Sequence, residues 1–131
     1  MSQRPRTDVL LRAAALVAVL FGAATIVSGA RVLFGGDAAR QAAGAYVPWV
    51  LWFNTVAGLA YVAAGVGLWL RRAWAVRLSA VLAAVSVLVF AALGVHIALG
   101  GVYEARTVAA MALRCTFWIG LAWFAARTLR I

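Results

Sequence analysis

The chain has 131 residues, 67% of them hydrophobic, with 12 basic and 3 acidic side chains and a formal net charge of +9. That apolar share lies far above the roughly 45–50% of a soluble domain, and a chain this short exposes too much of its surface to hide it from water. Soluble globular and intrinsically disordered classes are thereby excluded, which leaves an integral membrane protein.

A helix needs roughly 20 predominantly apolar residues to cross about 30 Å of hydrocarbon. Four stretches qualify, at 13–34, 47–70, 73–99 and 107–126. Backbone groups in lipid must find partners within their own segment, so each is expected to be helical. The predicted fold is an all-α antiparallel bundle of four transmembrane helices forming one domain over residues 1–131. The first stretch follows Arg4 and Arg6 and ends near Ser28-Gly29-Ala30, which mimics a signal peptide. Its apolar run is longer than a signal core, so it reads as a retained span. The connection from Gly35 to Tyr46 is the longest, and its stretch from Asp37 to Ala43 is expected to be a short surface helix with Asp37 as N-cap. Arg71-Arg72 forms a tight hairpin, and the stretch from Gly100 to Arg106 closes the third connection in a few residues.

Every basic residue is an arginine. In a soluble protein such a balance would suggest nucleic acid. Here span-flanking arginines set topology and meet anionic headgroups, so the lipid bilayer is the expected partner and nucleic acid is not. Eight arginines (Arg4, Arg6, Arg12, Arg71, Arg72, Arg77, Arg127, Arg130) fall on one side, against three (Arg31, Arg40, Arg106) on the other. That bias puts both termini in the cytoplasm of a bacterial inner membrane. Arginine without lysine, amid abundant alanine, glycine and valine, also matches a GC-rich bacterial composition.

Small and polar residues mark helix contacts in lipid. At three-to-four spacing they form one stripe per span. The stripes are Ala18, Gly22, Thr25 and Gly29; Asn54, Gly58, Tyr61 and Gly65; Ser79, Ala83 and Ser86; and Thr107, Met111, Arg114 and Trp118. Structural packing alone would produce them.

Intramembrane polar residues are costly and each needs a reason. Arg114 lies about 10 Å into its span at 1.5 Å per residue, and should face the bundle interior or a wet cavity. It reads either as a group binding an anion or carbonyl, or as a structural arginine held by carbonyls and an acid. Asn54 lies at a matching depth and offers either ligand contact or an interhelical hydrogen bond. His96, the lone histidine, is a candidate metal or haem ligand only with a second copy or a partner subunit, and otherwise a hydrogen-bonding side chain. Glu104 is the natural partner of Arg114 or Arg106, or else part of an interface salt bridge. Asn54, His96, Glu104 and Arg114, with Tyr61 deeper and Trp52 or Trp118 as walls, are expected to form one polar pocket on the periplasmic side. No cofactor is identifiable. Cys115 is the only cysteine, which excludes an intramolecular disulfide, a CxxC pair and a thiolate zinc site.

No acid lies at mid-membrane, where a proton-coupled exporter needs one. No Ser/His/Asp set or phosphate loop is evident, so an autonomous enzyme is not expected. The run Asn54-Thr55-Val56-Ala57-Gly58-Leu59-Ala60-Tyr61-Val62-Ala63-Ala64-Gly65, then Arg71-Arg72 and an alanine-rich third span, resembles DoxX-like bacterial membrane proteins. Leu11-Arg12, and Gly29 before Arg31, add to the likeness. Asn54 departs from it, standing where that family often has an acid, and the spacing from Arg12 to Gly29 is long. The resemblance implies a redox- or quinone-associated accessory subunit. The expected function is a non-enzymatic accessory or assembly subunit whose pocket binds a membrane-protein partner, a lipid or a quinone. The alternatives are a small homo-oligomeric transporter or channel, and the membrane subunit of a redox complex.

Overall fold

A computed structural model describes residues 3–129. Arg130 lies outside the described residues, as does the side chain of Arg4. The chain forms α1 (Gln3–Phe34), α2 (Asp37–Ala43), α3 (Pro48–Trp69), α4 (Ala73–Ala98) and α5 (Ala105–Leu129). The four long helices are each long and apolar enough to span a membrane, and they pack as an up-and-down bundle, α1 on α3, α3 on α4 and α4 on α5. The protein is therefore a multi-pass membrane protein in contact with lipid. Its outward-facing side chains suit that solvent: Leu16, Leu20, Val56, Leu59, Leu88 and Leu113 are all exposed.

Helix α1 begins ten residues before the apolar stretch that marks it in the sequence. An apolar run reports what can lie in hydrocarbon, whereas the helix continues wherever its turns find partners. Leu11 is fully buried and Asp8 forms an ion pair with Arg71 of the α3–α4 turn, so the first turns of α1 are tied to the bundle. Helix α2 occupies the expected residues, but Asp37 is not its cap. Gly36 holds the N-cap position at φ 90°, no side chain caps the helix, and Asp37 lies in the first turn. An acidic residue there still meets the positive end of the helix dipole.

The helix ends show how short connections are possible. At the end of α3, Arg72 N–H donates to the Gly67 carbonyl (2.8 Å) and Arg71 N–H to the Leu68 carbonyl (3.0 Å). This paired pattern satisfies two orphan carbonyls while the residue after the cap turns left-handed. Arg71 takes that conformation, at φ 58°, without the freedom of a glycine. The end of α4 repeats the pattern with Gly100 at φ 85°. Helix α3 starts at Pro48, whose missing N–H costs nothing in a first turn.

Tight approach of α1 to α3 depends on absent side chains. A Cβ on Gly22 would lie 2.7 Å from the Gly58 carbonyl oxygen, and one on Gly65 would lie 2.7 Å from the Ala15 carbonyl oxygen. A Cβ on Gly29 would collide with Thr55. On α4, Ser79 and Ser86 are fully buried and Ala83 nearly so; on α5, Met111, Arg114 and Trp118 are buried. Two ends of the bundle can then be defined. The termini end carries Arg6, Arg12, Arg71, Arg72, Arg77 and Arg127; the α2 end carries Arg31, Arg40 and Arg106.

Candidate functional site

Arg114 lies about two and a half turns inside α5 and is only 9% exposed. Its Nη1 donates to Thr25 Oγ1 of α1 (3.1 Å) and to Tyr61 Oη of α3 (3.2 Å). Its guanidinium carbon stands 4.9 Å from the centre of the Phe21 ring and 5.6 Å from that of Tyr61. The charge is thus held by neutral hydroxyls and aromatic faces. Among the described residues no carboxylate is within ion-pair reach of it, and Nε is sealed from solvent with no acceptor.

The expected pairing of Arg114 or Arg106 with Glu104 is therefore corrected. Glu104 accepts a hydrogen bond from the Ala45 backbone N–H at 2.7 Å, and Arg106 donates to the Ala42 and Ala43 carbonyls at 3.3 and 3.4 Å. The physical reason is backbone accounting. The short loop after α2 leaves an amide and two carbonyls unsatisfied, and the nearest charged side chains satisfy them. Gly44, at φ 73°, is required at this clasp, because a Cβ there would collide with the Glu104 carboxylate. Arg40 does the same for the end of α1, donating to the Val32 and Leu33 carbonyls.

A cavity of about 310 Å³ opens at the α2 end above Arg114. Helix α1 contributes Thr25, Ser28, Gly29 and Val32; α3 contributes Asn54 and Thr55; α5 and the residues before it contribute Glu104, Arg106, Thr107, Ala110 and Arg114. Tyr46 and Val47 line it from the α2–α3 loop. Asn54 Oδ1 is buried without a partner, and the side chain makes no hydrogen bond among the described residues. Asn54 and Arg114, each with a buried polar atom that lacks a partner, both line this one chamber. The formal charge of its lining is +1, from Arg106, Arg114 and Glu104.

Below Arg114 the chamber meets an aromatic floor. Phe21, Tyr61, Trp118 and Phe117 contact one another in a closed ring, with centroid distances of 5.4, 4.9, 5.1 and 5.5 Å around it. Tyr61 is fully buried in this floor and reaches the chamber only through Arg114.

The structure thus brings Asn54, Glu104 and Arg114 to one cavity, with Tyr61 beneath; it does not bring His96 there. His96 Nε2 is 2.9 Å from the Val102 carbonyl oxygen. Its ring covers Gly101 and meets Trp49 edge-on at 6.0 Å. That makes it a clasp of the α4–α5 turn. Among the described residues no three His, Cys, Asp or Glu side chains cluster as a metal site. Cys115 is buried and free. Trp118 is part of the floor, and exposed Trp52 packs edge-on against Phe34 at 6.0 Å.

Sequence reasoning did not single out Phe21, and it named Arg106 only as a flanking arginine and a candidate partner of Glu104. Phe21 stands four residues before Thr25, on the same helical face, which is the signal that would have found it. No protein-family model, curated protein or solved structure matches this chain, and the DoxX-like resemblance finds no support there beyond the four-span build.

Proposed function

We infer that this chain is an accessory or assembly subunit of the bacterial inner membrane, with its α2-end cavity facing the periplasm and holding a partner element, a lipid or a quinone. The observation that carries this reading is Arg114: a buried cation with no carboxylate partner among the described residues, beside the unsatisfied Asn54, at the base of a polar cavity. Intramembrane charges of this kind default to function, and a concave site with a few convergent polar groups is where a ligand binds. The asymmetry of the arginines supports the orientation. A DoxX-like role beside a redox or quinone complex is the version that the resemblance adds. A small homo-oligomeric transporter would pass its substrate through the same cavity. The aromatic floor that closes its inner end favours a holding site over a path.

The test is purification in mild detergent followed by mass spectrometry of everything that remains bound. A stoichiometric companion, protein or small molecule, is expected with the wild type and is lost in Arg114→Ala. Substrate flux in proteoliposomes containing this chain alone, abolished by Arg114→Ala without unfolding, would overturn the accessory reading in favour of transport.

A further inference from the structure

Resting on the reading of this cavity as a ligand site, we propose that its occupant is a monoanionic amphiphile, held head-in at Arg114 with its tail leaving sideways between α1 and α5.

Charge selects the head. Nη1 of Arg114 is committed to Thr25 and Tyr61, while Nε and Nη2 have no acceptor among the described residues. Nε is sealed, so Nη2 is the nitrogen left to donate a charge-assisted hydrogen bond to a carboxylate or phosphodiester oxygen. Asn54, with no hydrogen bond of its own, adds an amide to the same chamber. The lining carries one net positive charge, and a single negative charge neutralises it. Glu104 at the cavity wall disfavours a dianion by like-charge repulsion.

Volume selects an amphiphile held by its head. About 310 Å³ lies at the small end of ligand pockets, which run roughly 300–1,000 Å³. That admits a headgroup and excludes a whole lipid, so any acyl chain must lie outside. The α1–α5 seam supplies the way out. Among the four long helices these two make the least extensive contact of the pairs packed together. Phe21 and Phe117 meet across the seam at the level of the floor. Above them, the small residues Ser28 of α1 and Ala110 of α5 line the cavity, and Ser28 is exposed. The aromatic floor blocks a tail from running down the bundle axis.

The experiment uses the full chain in zwitterionic nanodiscs, with native mass spectrometry and competition. The probes are oleate, phosphatidylglycerol, decylubiquinone and inorganic phosphate. Oleate or phosphatidylglycerol is expected to bind, and which one does separates a carboxylate source from a phosphodiester headgroup. Arg114→Gln should weaken that binding about tenfold or more, as expected for loss of a charge-assisted pair, with Arg114→Lys retaining part of it. If Arg114→Gln fails to fold, Ala110→Phe serves instead. It narrows the seam while leaving the Arg114 side chain itself in place, and should exclude the amphiphiles. Binding of decylubiquinone but neither anion would overturn this proposal and leave the ligand-site reading standing. Phosphate binding as tightly as the amphiphiles, or amphiphile binding unchanged in Ala110→Phe, would overturn the tail-out arrangement. Binding of no probe, together with loss of no companion in Arg114→Ala, would overturn both.

Discussion

A guanidinium at mid-helix in hydrocarbon costs at least about 2.5–3.5 kcal/mol on insertion scales, and among the described residues Arg114 has no acid to offset it. What offsets it is distributed. Two hydrogen bonds to neutral hydroxyls come from different helices, and two ring faces lie within cation–π range, each worth up to about 2 kcal/mol when desolvated. Polar ends of the cavity complete the environment. A buried charge of this kind is weak evidence for stability, because an apolar residue of similar volume is often neutral or better. The expected outcome for Arg114→Met is therefore a bundle whose thermal midpoint in detergent is unchanged or raised, but which loses its bound companion. A large fall in the midpoint would make Arg114 a structural residue instead. Its face was legible from the three-to-four spacing with Met111 and Trp118. Tyr61 was expected deeper in the same pocket, but its bond to Arg114 and that of Thr25 were not legible, because both depend on the crossing of three helices. Nor could spacing show that Glu104 would be claimed by the Ala45 amide, since that depends on which backbone groups a loop leaves unsatisfied.

At the scale of the element, α1 and α3 are held by close backbone approach. Lipid supplies no hydrophobic drive between helices, so contact must come from packing, and small residues permit it. The glycines separate into two kinds by this criterion. Gly22, Gly58 and Gly65 leave no room for a Cβ, whereas Gly94 and Gly120 face open space. Gly22→Leu is expected to push α1 off α3 and to cost about 1–3 kcal/mol or more, as overpacking does. Gly94→Ala should be neutral or stabilising by up to about 1 kcal/mol from helix propensity. Thermal unfolding of the two variants side by side checks this, and equal destabilisation would remove the distinction. The sequence already placed Gly22 and Gly58 on contact stripes. Helix limits were less legible: residues 3–12 are helical although too polar for a span, because Leu11 and Asp8 anchor them to neighbouring elements.

For the whole molecule, the arginine asymmetry separates a termini end from an α2 end, and the cavity lies at the arginine-poor one. The positive-inside rule then makes a directional prediction. In intact cells, an impermeant maleimide should label Gln41→Cys from outside and should reach Arg72→Cys only after permeabilisation. The wild-type background is low because Cys115, the only cysteine, is buried. The reverse pattern would place the cavity in the cytoplasm and remove a periplasmic partner from consideration.

Composition and the length of apolar runs by themselves determined that this is a membrane bundle of four long helices. Hydrocarbon leaves a backbone no alternative to the helix, and ~30 Å fixes how many residues each needs. Helical periodicity also determined which face of each span turns inward. Only the tertiary structure decided what those faces make together: Arg114 without a carboxylate, Glu104 and His96 spent on turns, and a cavity shared by α1, α3 and α5. Those outcomes depend on the relative heights and crossings of helices far apart in the chain, and on the competition of loop amides for the few charged side chains. Neither is encoded at any single position or spacing.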